Sequence, residues 1–280
     1  MTLLALHAGA GTHTRPRADI LVALAEALAA GRSALADTAL DACVAALRVL
    51  EDCGLFDAGR GSVRDALGGV TLDAAVMTGA DRRAGAVAGL RHCRNPVHAA
   101  RLVMDESPHV FLVGSDADAF ALAHGAQAAP RDWFIANTSG HPGTVGAVAR
   151  DAAGRFAAAT STGGLSGKLP GRVGDSALIG CGTWADADCA ISATGIGEIF
   201  IRCAFAHRIA MHRDVLGLGP AAEEAINAVV ALGGEGGAIT LDRSGHAFPL
   251  RAKMMPRAWI DDEGRAWAAI LPGEEPVALG

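Results

Sequence analysis

A chain of 280 residues, 51% of them hydrophobic, can bury a sizeable core and, at roughly 100 to 200 residues per domain, makes one large or two small globular domains. A net charge of −6 with scattered basic residues argues against a nucleic-acid partner and against an anionic membrane surface, since neither is attracted by that balance. The six cysteines, Cys43, Cys53, Cys93, Cys181, Cys189 and Cys203, include no Cys-x-x-Cys pair and no histidine at ligand spacing, so they read as small buried residues of a reduced compartment.

The opening Met-Thr-Leu-Leu-Ala-Leu-His has no basic run and only four apolar residues in a row, which predicts no secretory signal. No apolar run approaches the ~20 residues of a membrane span, and the expectation is a cytoplasmic protein. Leu3 to Leu6 reads as a strand running into the glycine turn His7-Ala8-Gly9-Ala10-Gly11. A dinucleotide fingerprint fails there because its third glycine would fall at Thr14. Two helices follow, one through Ile20, Leu21, Leu24 and Leu28, the other through Leu40, Cys43, Leu47 and Leu50 with Asp37-Thr38 as its cap. Leu50 to Asp65 is a polar, glycine-rich loop whose carbonyls can wrap a hard cation or merely connect. Val70 to Met77 and Ala84 to Leu90 are strands, Pro96 to Met104 a helix, Val110 to Val113 a strand and Asp116 to His124 a helix. Residues 125 to 143 have no period and fit an exposed linker.

The second half opens with a hairpin, Val145 to Ala149 and Phe156 to Thr160, around Asp151-Ala-Ala-Gly154. A long glycine-rich loop runs from Ser161 to Ser176, and the strand Cys189 to Thr194 ends at Gly195-Ile196-Gly197-Glu198. Helices over Ile199 to His212 and Pro220 to Leu232 precede strands at Gly236 to Leu241, Ala247 to Leu250 and Ala258 to Ile260. The order of elements does not alternate as βαβα, and it predicts a layered α+β fold with two central sheets between helical layers.

Thr144 stands where Pro142 and Gly143 end a loop and Val145, Ala147 and Val148 begin a strand. Such a threonine can serve β propensity alone. Freed as a chain end, it also carries its own base, because an α-amine titrates near ~7.7 to 8.0 and can take the proton of the hydroxyl.

Four blocks in the second half, Gly143-Thr-Val-Gly-Ala-Val148, Ala159-Thr-Ser-Thr-Gly-Gly164, Lys168-Leu-Pro-Gly-Arg-Val-Gly-Asp-Ser176 and Ala193-Thr-Gly-Ile-Gly-Glu198, resemble the plant-type (type III) L-asparaginase and isoaspartyl peptidase family of Ntn-hydrolases. Phe56-Asp-Ala-Gly-Arg-Gly-Ser62, Leu72-Asp-Ala-Ala-Val76, Ala84-Gly-Ala-Val-Ala-Gly89 and Arg94-Asn-Pro-Val97 through Ser107-Pro-His-Val110 extend the resemblance into the first half. The resemblance implies a four-layer αββα sandwich, made as a precursor that cuts itself between Gly143 and Thr144 into an α subunit, 1–143, and a β subunit, 144–280. It implies that Thr144 attacks the side-chain carbonyl of L-asparagine or the isopeptide carbonyl of a β-aspartyl dipeptide, that Thr162 orients it, and that Thr194 and Gly195 form the oxyanion hole.

By the same resemblance Arg172 and Asp175 clamp the substrate's α-carboxylate and α-ammonium, with Gly197 and Asp57 also at the binding site. Main-chain oxygens of Leu50, Glu51, Cys53, Phe56, Ala58 and Arg60 would hold a structural sodium ion; no cofactor is required for the chemistry, and the assembly is a homodimer of processed αβ units. Without the family, Thr162 reads equally as a strand-end hydroxyl bonded to backbone, and Arg172 with Asp175 as a solvated surface pair. Three departures stand out: Asp57 replaces the usual asparagine, His7-Ala8-Gly9 replaces His-Gly-Gly, and the linker before Thr144 is short. The alternatives are another Ntn amidohydrolase, glycosylasparaginase or taspase-like, and an uncleaved relative that only binds small molecules.

Overall fold

The computed structural model describes residues 3–130, 132–134 and 143–279. Leu4–Ala8 forms β1, followed by helices α1 (Arg17–Ala34) and α2 (Ala39–Cys53), and then by β2 (Leu72–Thr78) and β3 (Ala84–Leu90). Helix α3 (Pro96–Glu106), β4 (Phe111–Val113) and α4 (Gly114–Ala123) complete the first half. After Thr144 come β5 (Val145–Arg150), β6 (Phe156–Thr162), β7 (Thr183–Ala185), β8 (Cys189–Gly195), helices α5 (Gly197–Cys203), α6 (Phe205–Leu216) and α7 (Leu218–Ala231), and β9 (Gly236–Asp242). The chain closes with β10 (Gly245–Ala247), β11 (Leu250–Arg251), β12 (Arg257–Ile260), β13 (Ala266–Ala269) and β14 (Val277–Leu279).

The predicted α+β fold is borne out. Among the described residues one nine-stranded sheet runs β14-β13-β12-β1-β5-β6-β2-β3-β4, and a second, smaller sheet runs β10-β9-β8-β7 with β11 also on β9. Pairing is antiparallel throughout except between β3 and β4. Helix α2 begins at the expected cap, where Thr38 Oγ1 accepts from Asp41 N at 3.1 Å, and stops at Gly54 in the left-handed region with φ 73°.

Strand parity sorts the core. Leu4, Leu6 and Ala8 of β1, Val145 and Ala147 of β5, and Ala157 and Ala159 of β6 join α1 to α4 in one apolar cluster. Their neighbours Ala5, Val148, Phe156 and Ala158 face the other way and meet Ala190, Ile239 and Leu241 of the smaller sheet. Ile191 and Ala193 of β8 turn from that interface toward Phe200, Phe205, Ile209 and Ile226. With both faces covered, the central strands are buried along their whole length, as the patterns of β1 and β6 record.

Several expectations are corrected. The single helix over Ile199 to His212 is two, because Ala204 takes a left-handed conformation, φ 45°, between α5 and α6. The strand over Ala247 to Leu250 is split into β10 and β11 at Pro249, which has no N–H to give a ladder. Strands β7, β13 and β14 were not expected. The linker is partly held: Arg94 N donates to Gln127 O at 2.8 Å, Ala129 N to His92 O at 2.6 Å, and the Trp133 ring lies 4.1 Å from the Arg94 guanidinium carbon and 5.1 Å from that of Arg60. The rest of it, residue 131 and residues 135–142, lies outside the described residues. Among the described residues no helix is long and apolar enough to cross a membrane.

Candidate active site

Because Val145 pairs with Ser161 across β5 and β6, the residue before β5 stands opposite Thr162. Thr144 Oγ1 donates to Thr162 Oγ1 at 3.0 Å, and Thr162 Oγ1 also accepts from Gly164 N at 2.9 Å. Two acceptor positions on one oxygen fix where the Thr144 hydroxyl points. Gly143 is still joined to Thr144 and lies against Gly9: a Cβ built on Gly9, whose φ is +94°, would sit 2.4 Å from the N and Cα of Gly143. Only hydrogens fit between these two glycines.

From the smaller sheet, Thr194 is 1% exposed and its Oγ1 accepts from Ala10 N at 3.0 Å. That bond occupies a lone pair and leaves the hydroxyl hydrogen free to donate elsewhere. Gly195 lines the same small cleft as Thr144, Thr162, Arg172 and Asp175. A larger hollow of about 200 Å³ lies by Thr38, Arg83, Arg101 and Arg155, but its arginines are already paired with Asp105, Asp41 and Asp151.

The Arg172–Asp175 pair is not the solvated surface pair that its spacing allows. Arg172 Nε and Nη2 donate to the two oxygens of Glu198 at 2.8 and 2.9 Å, which holds the guanidinium plane. Asp175 is 4% exposed, and its Oδ2 is buried without a hydrogen-bond partner. Burial pushes the Asp175 carboxyl up to about 7, against the pull of the Arg172 guanidinium. A Cβ on Gly197 would lie 2.8 Å from both Arg172 Nη2 and Asp175 Oδ1, so this glycine spaces the two charged groups. Glu198 is a site residue that the motif contained but to which no role was given.

Asp57 is brought close to the site but not into the cleft. Its Oδ1 accepts from Val63 N at 2.9 Å, and a Cβ on Gly163 would sit 2.3 Å from that oxygen, so the carboxyl stands behind the Thr162-Gly163 turn. Lys168, 6% exposed, closes this region by donating to Gly163 O at 2.8 Å and Thr71 O at 3.2 Å. Burial raises the Asp57 carboxyl to about 7, opposed by the Val63 N–H and by Lys168, and aided by Asp73. The unfolded chain sheds this proton near 3.8 and the folded chain keeps it to about 7, so stability from the group falls as pH rises through that window. Asp57→Asn is therefore expected to leave melting near pH 4 unchanged and to raise it at pH 8, each kcal/mol being worth roughly 2–4 °C. Equal melting differences at both pH values would remove this reading.

In the stretch from 50 to 60 the backbone packs closely against one glycine turn, Gly59–Gly61. Built side-chain carbons there would meet Glu51 O at 2.6 Å, Phe56 O at 2.3 Å and Gly54 O at 2.9 Å. Among the described residues no group of three or more His, Cys, Asp or Glu side chains is set to hold a metal. Backbone oxygens of this kind suit a hard monovalent cation rather than a transition metal.

These elements define an α+β protein in which the hydroxyls of Thr144, Thr162 and Thr194 gather at the strand ends between two sheets. The family model described as Asparaginase matches residues 1–141 and 136–270, and the chain belongs to that family. It is 43% identical over 295 aligned positions to the isoaspartyl peptidase of Salmonella typhimurium, covering 92% of this chain and 94% of the relative. It is similar also to the isoaspartyl peptidase/L-asparaginase of Bos taurus, 40% identical over 86% of this chain and 85% of the relative. The plant-type L-asparaginase of Pyrobaculum calidifontis is 38% identical over 92% of this chain and 97% of its own. The family read from the motifs is thus the family found.

Proposed function

We propose that the chain is a threonine-nucleophile amidohydrolase that hydrolyses the side-chain amide of L-asparagine and the isopeptide bond of β-aspartyl dipeptides. The observation that carries it is the 3.0 Å bond from Thr144 to Thr162, set in one small cleft with Gly195, Arg172 and Asp175. The relatives' names, isoaspartyl peptidase and L-asparaginase, agree with it.

In the first step the Thr144 hydroxyl adds to the Gly143 carbonyl, the peptide C–N bond breaks, and water hydrolyses the ester left behind. This gives subunits 1–143 and 144–280 of one folding unit, a four-layer αββα sandwich in which α1 to α4 cover one sheet and α5 to α7 the other. The cleft beside Thr144 is only about 10 Å³ while Gly143 is attached, and its release makes room for an amino-acid substrate. The freed amine then accepts the hydroxyl proton, the oxygen attacks the amide carbonyl, and the Thr194 hydroxyl with the Gly195 N–H receives the developing charge. The Arg172 guanidinium meets the α-carboxylate and the Asp175 carboxylate the α-ammonium. The amide C–N bond breaks as the Thr144 amine passes its proton to the leaving ammonia or amino acid, and water hydrolyses the β-aspartyl ester left on Thr144 to release aspartate.

The main-chain oxygens of Leu50, Glu51, Cys53, Phe56, Ala58 and Arg60 would hold a sodium ion, which would stiffen the loop through electrostatic attraction and take no part in the chemistry. The processed units pair as a homodimer, and the six free cysteines suit the reducing cytoplasm. Mass spectrometry after incubation, with ammonia and aspartate release from both substrates and from glycosylated asparagine, tests the reading. An uncleaved chain that releases neither product ends it.

The clamp sets a pH dependence. Asp175 must be ionised to hold an ammonium, and the freed Thr144 amine must be neutral, near ~7.7 to 8.0 for an ordinary α-amine. Both conditions improve as pH rises. With the Asp175 carboxyl raised to about 7 and the amine at ~7.7 to 8.0, kcat/KM for L-asparagine is expected to climb from pH 6 through pH 8 and to level off only above the range of the amine. A profile flat from pH 5.5 to 8 contradicts the clamp role.

A further inference from the structure

Behind the reactive hydroxyls lies a second row of polar side chains that the proposed chemistry does not use. His7, Thr160, Thr183 and Ser192 are each 0% exposed, and they form one connected chain between the sheets. His7 Nε2 lies 3.1 Å from Ser192 Oγ, Ser192 Oγ is 2.7 Å from Thr160 Oγ1, and Thr183 Oγ1 donates to Thr160 Oγ1 at 2.6 Å. The far end is anchored on backbone: Thr183 Oγ1 also reaches Ser176 O at 3.1 Å and Thr160 Oγ1 reaches Gly182 O at 3.3 Å.

Two members stand one pleat behind a residue of the site. Residues two apart on a strand share a face, so Thr160 backs Thr162 on β6 and Ser192 backs Thr194 on β8. His7 is paired in register with Gly146, two residues past Thr144, and Ser176 follows Asp175. A Cβ on Gly146 would lie 2.1 Å from Ser192 Oγ and 2.2 Å from His7 Nε2, so the bond between the sheets passes directly over this glycine. The same interface is apolar farther from the site, at Ala5, Val148, Ala158 and Ala190. Among the described residues of this interface, the hydroxyls of Thr160, Thr183 and Ser192 lie on the side of Thr162 and Thr194, and alanine and valine lie farther off.

We infer that the Ser192–Thr160–Thr183 chain, closed by His7, is a positioning device that locks the nucleophile, its orienting hydroxyl and the oxyanion donor in register across two sheets. It deepens the function proposed above and rests on it. Hydrogen bonds are directional where apolar contacts slide, and a misplacement of about 1 Å at reacting atoms costs on the order of a hundredfold in rate. None of the four side chains touches substrate in this arrangement, so their loss acts on turnover and not on binding.

The test uses the full chain with Ser192→Ala, Thr160→Val and the conservative Thr160→Ser, rates being normalised to the cleaved fraction measured by mass. For L-asparagine, kcat is expected to fall about tenfold to a hundredfold in Ser192→Ala and Thr160→Val with KM within about twofold, and Thr160→Ser to recover most of the loss. If Thr160→Val does not fold, Thr183→Val against Thr183→Ser gives the same comparison from the far end of the chain. Wild-type kcat per cleaved chain in the hydroxyl-deleted variants, whatever their melting temperature, overturns the inference, as does failure of the serine variants to recover. A wild-type chain inert toward both substrates overturns the proposed function and this role with it, whereas active wild type beside unimpaired variants overturns only the positioning role.

Discussion

Alanine at position 144 is expected to leave the 28.3 kDa chain whole after long incubation and to abolish release of ammonia from L-asparagine, a loss on the order of 10⁴-fold or more. The hydroxyl at this position is asked to do two things, cut its own preceding bond and attack substrate, so its removal stops both. Thr162 cannot take over. Its amide lies within β6, so no amine can be freed beside its oxygen, which stays tied to Gly164 N. Serine at 144 keeps oxygen and amine and should retain cleavage with a reduced rate. The decisive measurement is the mass of the incubated variant read together with its activity. An alanine variant that hydrolyses either substrate, cut or uncut, shows that the attacking atom lies elsewhere.

The strongly periodic segments were legible without coordinates. Leu40, Cys43, Leu47 and Leu50 announced α2, and the Asp151-Ala-Ala-Gly154 turn announced the β5–β6 hairpin, because helical spacing and a glycine turn leave local marks. The break at Ala204 left none, since alanine in a left-handed conformation is imposed by packing between α5 and α6 and not by its own preference. Strands of three or four residues such as β7, β13 and β14 are too short to show a period. For the site, the motif blocks named Thr144, Thr162, Thr194, Arg172 and Asp175, yet spacing alone reads Arg172 and Asp175 as a solvated surface pair. What decides the matter is tertiary: Glu198 takes up two guanidinium nitrogens, and Asp175 is buried with one oxygen unpartnered. The row of His7, Thr160, Thr183 and Ser192 was invisible for the same reason, because its four members come from four strands and meet only when two sheets are stacked.

Thr194→Val is expected to lower kcat about a hundredfold to a thousandfold with KM little changed, the usual effect of losing one donor to a developing oxyanion. Valine matches the shape of threonine, and residue 194 is 1% exposed on β8, so the strand and its pairing with β9 should survive. Two things are lost with the hydroxyl. The hydrogen that would reach the tetrahedral oxygen disappears, and Ala10 N, which donates to Thr194 Oγ1 at 3.0 Å, loses its acceptor. The second loss falls on the turn that holds Gly9 against Gly143, so the variant should also cut itself more slowly than wild type. Serine separates the two effects from simple loss of packing, because Thr194→Ser keeps both hydrogen bonds while removing a methyl group; it should therefore cleave and turn over within a few-fold of wild type. If valine at 194 turns over within about threefold of threonine once the uncut fraction is discounted, charge on the substrate oxygen is met by other groups, and the geometry of β8 serves only to shape the cleft.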